Sequence, residues 1–255
     1  MLTLLKQELF KAHKQNRLWI WLLLAFIFPI AVLAVFKCTR NVERLVGFGG
    51  GIPYIYLAAI IYSALSISQE FTFGTIRPLL SRRFNRLSIF ISKIVLNFIV
   101  YIGLVVSAFI GTIIAKLIFV PKADFGKQMT DTLTAGQLWG IDTIHLFLEI
   151  IFISALVIMI TNIVKSSGAA IGLGVVLSIG TPIISSISLS LIQLAPILKW
   201  NPLTILIGSS MLGITPDTTL NAIFHLNSMS IIIAYIVYIV LFYGIAYYIF
   251  RKRSV

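Results

Sequence analysis

Apolar residues run along this chain in long blocks, not in the alternation of a half-buried strand or the stripe of a soluble helix. Six blocks reach the ~20 residues that a helix needs to cross a bilayer: 18–36, 46–67, 94–115, 143–164, 168–195 and 229–250. A seventh, 203–214, is bracketed by Pro202 and Pro216 and interrupted by Gly208 and Gly213. It is too short to span, and the pattern predicts a short re-entrant or interfacial hairpin over 200–216. Ahead of the first block, Leu2, Leu5, Leu9 and Ala12 recur at helical spacing, with Lys6, His13, Lys14 and Arg17 on the other face. Residues 1–17 are therefore expected to form an amphipathic helix lying in the membrane interface, with Phe10 on its polar side. The first block is too long for a signal-peptide core, and no A-x-A site follows it. Lys37 directly before Cys38 also speaks against a lipoprotein, so the block is expected to stay in the membrane.

Composition takes the pattern further. Of 255 residues, 59% are hydrophobic and 11% charged, against about 45–50% and 25% in ordinary globular chains. Mean hydropathy is +1.03. So few charges cannot cover a soluble surface, which excludes most soluble enzyme classes and predicts an all-α integral membrane protein. Residues 18–250 are read as one six-helix transmembrane domain, with 251–255 as a basic tail. The net charge of +12 would direct attention to nucleic acid in a soluble protein. Here it sorts by side instead. With the termini, the 68–93 loop and the 165–167 turn on one face, that face holds thirteen of the basic residues and two acids, Glu8 and Glu70. The opposite face holds seven basic residues and five acids, and Glu149 falls inside the fourth block. The positive-inside rule places both termini in the cytoplasm and leaves no reason to expect nucleic acid as a partner. Cys38 is the only cysteine, so no intramolecular disulfide can form.

The chemistry concentrates in the loop between the second and third blocks. From Gln69 to Lys93 it mixes Phe71, Phe73, Ile76, Leu79, Leu80 and Phe84 with six charges, punctuated by Gly74-Thr75 and Pro78. That is too apolar for a solvated linker and too charged for a span. Such a segment either lies on headgroups or docks into a partner's groove. The series Glu70-x-x-x-Gly74-Thr75, Leu79-Leu80-Ser81, Arg86 and Lys93 resembles the signature of ABC-2 type permeases, the membrane subunits of many bacterial ATP-binding-cassette exporters. Members often carry a proline after Leu-Leu-Ser, where this chain has Arg82-Arg83 and places Pro78 earlier. The resemblance implies a multi-pass subunit in the bacterial cytoplasmic membrane, working as a homodimer or paralogous heterodimer with two cytoplasmic ATPase subunits. It further implies that ATP and Mg are bound by the partner and no cofactor by this chain. Glu70, Gly74, Thr75, Ile76, Leu79, Leu80 and Arg86 would form the coupling helix. Lys165 and Ser166, in the 162–168 turn, would form a second coupling contact. Without a partner the same loop would be a basic segment held on anionic lipid, at ~1 kcal/mol per cation.

No G-x-x-x-x-G-K-[ST] occurs, so ATP hydrolysis by a P-loop would have to come from another chain. Gly47 to Pro53 has no Lys-Ser/Thr after it and is expected to be a turn. No H-E-x-x-H or G-x-S-x-G is present, and with three histidines in all no metal site is expected. His145 and Glu149 share a helix face, four residues apart. As an intramembrane acid, Glu149 is a candidate for proton relay; the alternative is an acid paired with His145 or snorkelling at a helix end.

Gly103, Ser107, Gly111 and Ala115 recur every four residues, as do Gly168 and Gly172, and such stripes predict close helix contacts in lipid. The fifth block carries Ser185, Ser186, Ser188, Ser190 and Gln193 after Pro182. Serines there can satisfy carbonyls freed by the proline. The family resemblance implies instead that this face, with Tyr56, Tyr62, Ser63 and Ser66, lines a conduit suited to an amphipathic cargo. The expectation is an export permease for a peptide or antibiotic-like cargo, not itself an enzyme. Two other readings stay open: an ion-coupled secondary transporter, and a membrane-embedded enzyme built on His145 and Glu149.

Overall fold

The computed structural model describes residues 2–14, 16–72, 84–130, 133–164 and 166–252. It is all-helical, 85% helix, with no strand among the described residues. In chain order the α-helices are α1 (Leu2–Lys14), α2 (Asn16–Val35), α3 (Val42–Val46), α4 (Ile52–Thr72) and α5 (Arg86–Phe119). They continue with α6 (Ala135–Val164), α7 (Ser167–Leu194), α8 (Pro202–Ser209), α9 (Asp217–Phe224) and α10 (Ser228–Lys252). Among the described residues, five of them, α2, α4, α5, α6 and α10, are long and apolar enough to cross a membrane.

Several helices outrun the apolar blocks that predict them, and local chemistry explains where they stop. α5 begins eight residues before its block because Asn85 caps it, accepting from Ser88 N at 2.8 Å. At 34 residues it is about 51 Å long, well beyond a ~30 Å hydrocarbon core. α4 runs on to Thr72. The stretch expected to be loop from 68 to 93 is thus helical at both ends, and residues 73–83 lie outside the described residues. α6 starts eight residues early on a reciprocal cap. Gln137 Oε1 accepts from Thr134 N at 2.9 Å, and Thr134 Oγ1 accepts from Gln137 N at 3.4 Å. The second block loses its first turn instead. Phe48, Gly49 and Gly50 have φ of 53°, 61° and 87°, which no α-helix accommodates. The chain is committed to that turn because Gly49 packs on Pro29 of α2, where an added Cβ would sit 3.0 Å from the proline Cβ.

The chain divides into two compact units, Met1–Tyr62 with Arg83–Ile144, and Ser63–Arg82 with His145–Val255. In the first, α2 lies along α5, and α1 folds back on both. The small-residue stripe of α5 makes this possible. A Cβ on Gly103 would come 3.2 Å from Leu22, and one on Gly111 would overlap the Phe26 carbonyl oxygen. At the far end of α2, Arg40 donates to the Leu33 and Ala34 carbonyls at 2.8 and 3.1 Å, closing carbonyls left open at the helix C-terminus. Its guanidinium also lies 4.8 Å from the centre of the Phe119 ring. Nearby, Trp139 stacks on Phe109 and Phe125 at 4.3 and 5.2 Å and meets Phe48 edge-on.

In the second unit α8 packs against α7 and α10, with Gly208 facing Ile231. Phe152 of α6 sits among Tyr235, Tyr238 and Phe242 of α10. Tyr235 donates to the Leu148 carbonyl at 2.6 Å. The 200–216 region, expected to be a hairpin, forms α8 and a turn through Gly213, and α9 follows it. His225 ends α9 in the left-handed conformation, and Asp217 accepts from Ser228.

Candidate functional site

The most unusual chemistry in the first unit is a buried ion pair. Lys93 Nζ donates to Glu8 Oε2, and the two residues are only 4% and 5% exposed. Both ends are placed by helix geometry. Leu4, Glu8 and Ala12 occupy one line of α1 and are buried. Lys93 and Asn97 occupy one line of α5, two turns in from the Asn85 cap. Taking two charges out of water is costly unless they meet each other. The pair therefore holds α1 against α5 in one register.

This alters the expected face of α1. The sequence assigns the apolar face to Leu2, Leu5, Leu9 and Ala12. Instead the buried line passes through Glu8, leaving Leu9 36% and Phe10 64% exposed. The reason is tertiary: α5 offers a lysine at the level where α1 crosses it. Along the chain, Glu8 reads as a charge on one side and Lys93 as the close of the 69–93 series, with nothing that pairs them. The signal was there, since Glu8 is the only acid before Glu43 and Lys93 and Asn97 lie four apart entering an apolar run. Asn97 is 1% exposed, and neither of its amide atoms has a hydrogen-bond partner among the described residues.

Of the coupling residues, Glu70 is 2% exposed in the last turn of α4, and Arg86 is half-buried in the first turn of α5. Gly74, Thr75, Ile76, Leu79 and Leu80 lie outside the described residues, as does Lys165. The second turn is very short: α6 ends at Val164 and α7 opens at Ser167. Ser166 is exposed, and its hydroxyl accepts from Ala169 N at 3.4 Å as the cap of α7. Just before it, Thr161 and Asn162 are fully buried.

The conduit candidates divide similarly. Tyr56 and Tyr62 are half-buried on α4. Ser63 is fully buried, and Ser66 donates to the Ser63 carbonyl at 2.9 Å. The side chains of Ser185, Ser186, Ser188 and Gln193 lie outside the described residues. Hydroxyls elsewhere in the long helices follow Ser66. Ser92, Thr112, Ser154 and Thr161 each bond a carbonyl three or four residues back. Such bonds hide the hydroxyl from an apolar surround.

His145 and Glu149 share a face of α6, but the imidazole is engaged elsewhere, its Nε2 lying 2.7 Å from the Leu212 carbonyl. That contact ties α6 to the turn after α8. Glu149 is half-buried. Among the described residues no group of three or more His, Cys, Asp or Glu side chains converges to hold a metal ion.

Helices of this length and hydropathy make the chain a multi-pass α-helical membrane protein. It belongs to the family described as "Protein of unknown function (DUF2705)", whose model matches residues 41–255. No curated protein matches it. The family match takes in Lys93 and Asn97 and stops short of Glu8.

Proposed function

We propose that the chain is the membrane subunit of an ATP-binding-cassette exporter in the bacterial cytoplasmic membrane, moving an amphipathic peptide or antibiotic-like cargo outward. Six spans are assigned, α7 joining the five long apolar helices, with both termini cytoplasmic and residues 200–216 on the outer side. Two copies, or one copy and a paralogue, pair with two ATPase subunits that bind ATP and Mg. The conduit runs beside α4 and the serine-rich half of α7.

The observation that carries the proposal is the 69–93 stretch. Its Glu70, Gly74-Thr75, Leu79-Leu80, Arg86 and Lys93 stand at the spacing of an ABC-2 coupling segment. Glu70 is buried in the last turn of α4, and Arg86 stands in the first turn of the capped α5. A soluble Walker-motif protein encoded beside this chain is the expected partner. The test is co-purification and ATPase stimulation with that protein. Leu79→Asp with Leu80→Asp should abolish both while the permease still folds. Unchanged binding and stimulation would refute the assignment. Nucleotide-independent transport in vesicles would favour an ion-coupled carrier instead.

A further inference from the structure

The corner between α1 and α2 encloses a groove of about 360 Å³ against α5, within the size range of small-molecule sites. Its walls are apolar: Leu9 of α1, Leu18 and Leu22 of α2, and Leu96 and Val100 of α5. The corner itself is braced. Trp19 Nε1 donates to the His13 carbonyl at 3.2 Å, and the Trp19 ring stands edge-on to His13 at 5.3 Å. Gly103 forms part of the lining. The groove is thus a slot lined by α1, α2 and α5 together.

The charge near the α1–α2 corner is one-sided. Lys14 and Arg17 are exposed around the corner, and the only acid among residues 1–42 is Glu8. Glu8 is buried and neutralised by Lys93, so it cannot offset them. An apolar slot beside exposed cations is complementary to one class of molecule abundant around a membrane protein. We infer that the α1–α2–α5 groove holds one acyl chain of an anionic phospholipid, with the phosphate group against Lys14 and Arg17. A zwitterionic lipid offers the same chain without the net charge. The proposal is independent of any ATPase partner and stands or falls separately from the exporter assignment.

The test uses the full chain in nanodiscs of phosphatidylcholine containing a brominated phospholipid, with fluorescence quenching as readout. Subtracting the signal of a Trp19→Phe variant isolates Trp19. Brominated phosphatidylglycerol should quench Trp19 at a several-fold lower mole fraction than brominated phosphatidylcholine. Lys14→Gln with Arg17→Gln should erode that preference by roughly five-fold per cation removed. Its melting temperature serves to show that the fold persists. Native mass spectrometry should show one tightly held phosphatidylglycerol lost in the same variant. Equal quenching by the two lipids would overturn the inference, as would a preference unchanged in the double variant. So would a Trp19 that neither lipid reaches, since a segment of protein would then occupy the groove.

Discussion

Replacing either member of the Glu8–Lys93 pair should destabilise the first unit far more than replacing both. The two residues are 5% and 4% exposed, so Glu8→Gln leaves an unmatched ammonium and Lys93→Met an unmatched carboxylate in a site that water barely reaches. Orphaning one partner of a buried pair costs about 3–5 kcal/mol, whereas replacing both with neutral groups is often near neutral. On the scale of about 2–4 °C per kcal/mol for chains of this size, each single variant should melt on the order of 10 °C lower. The double variant Glu8→Gln with Lys93→Met should recover most of that loss. The assay is thermal unfolding in detergent, arranged as a double-mutant cycle. A local readout accompanies it, because the pair fastens α1 to α5. In a Cys38→Ser background, a reporter Leu4→Cys, buried at 0% exposure beside Glu8 on the same face, should label slowly with the pair intact and quickly in either single variant. If the single variants melt within about 2 °C of the parent, or if the double loses the sum of the singles, the pair is not what holds α1.

Other consequences follow from particular contacts. Gly111→Leu should force α2 away from α5, costing about 1–3 kcal/mol by overpacking. Gly244→Ala on α10, where an added Cβ meets nothing within 4 Å, should be neutral or stabilise by up to ~1 kcal/mol; thermal unfolding distinguishes the two. Asn85→Ala removes the α5 cap and should cost about 0.5–2 kcal/mol, seen as faster amide exchange in the first turn of that helix while its apolar middle stays protected. Tyr235→Phe deletes one hydrogen bond between α10 and α6. Within a membrane such bonds average about 0.6 kcal/mol, so the expected loss is one or two degrees of melting temperature.

Much of the architecture could be read from the linear chain because lipid leaves few choices. A run of ~20 apolar residues in hydrocarbon must satisfy its own backbone, and a helix is the one local way to do so. The blocks at 94–115, 143–164 and 229–250 accordingly fall within α5, α6 and α10. Helix ends were less legible, since caps such as Asn85 and Thr134 lie in polar sequence that hydropathy ignores. The positive φ at Phe48, likewise, answers to the packing of Gly49 on Pro29, which no local pattern announces.

The sequence by itself determined that this is a helical membrane protein with a net charge of +12. Those properties depend on composition and spacing alone. Only the tertiary structure decided which line of α1 is buried, that Glu8 meets Lys93, and that Gly111 lies against the Phe26 carbonyl. It also showed that His145 reaches Leu212 and that three helices enclose an apolar groove. Each of these joins residues far apart in the chain, up to 85 positions for the ion pair. Periodicity tells which face of a helix is apolar. It carries no information about what that face will meet, and a buried charge is stable only because of what it meets.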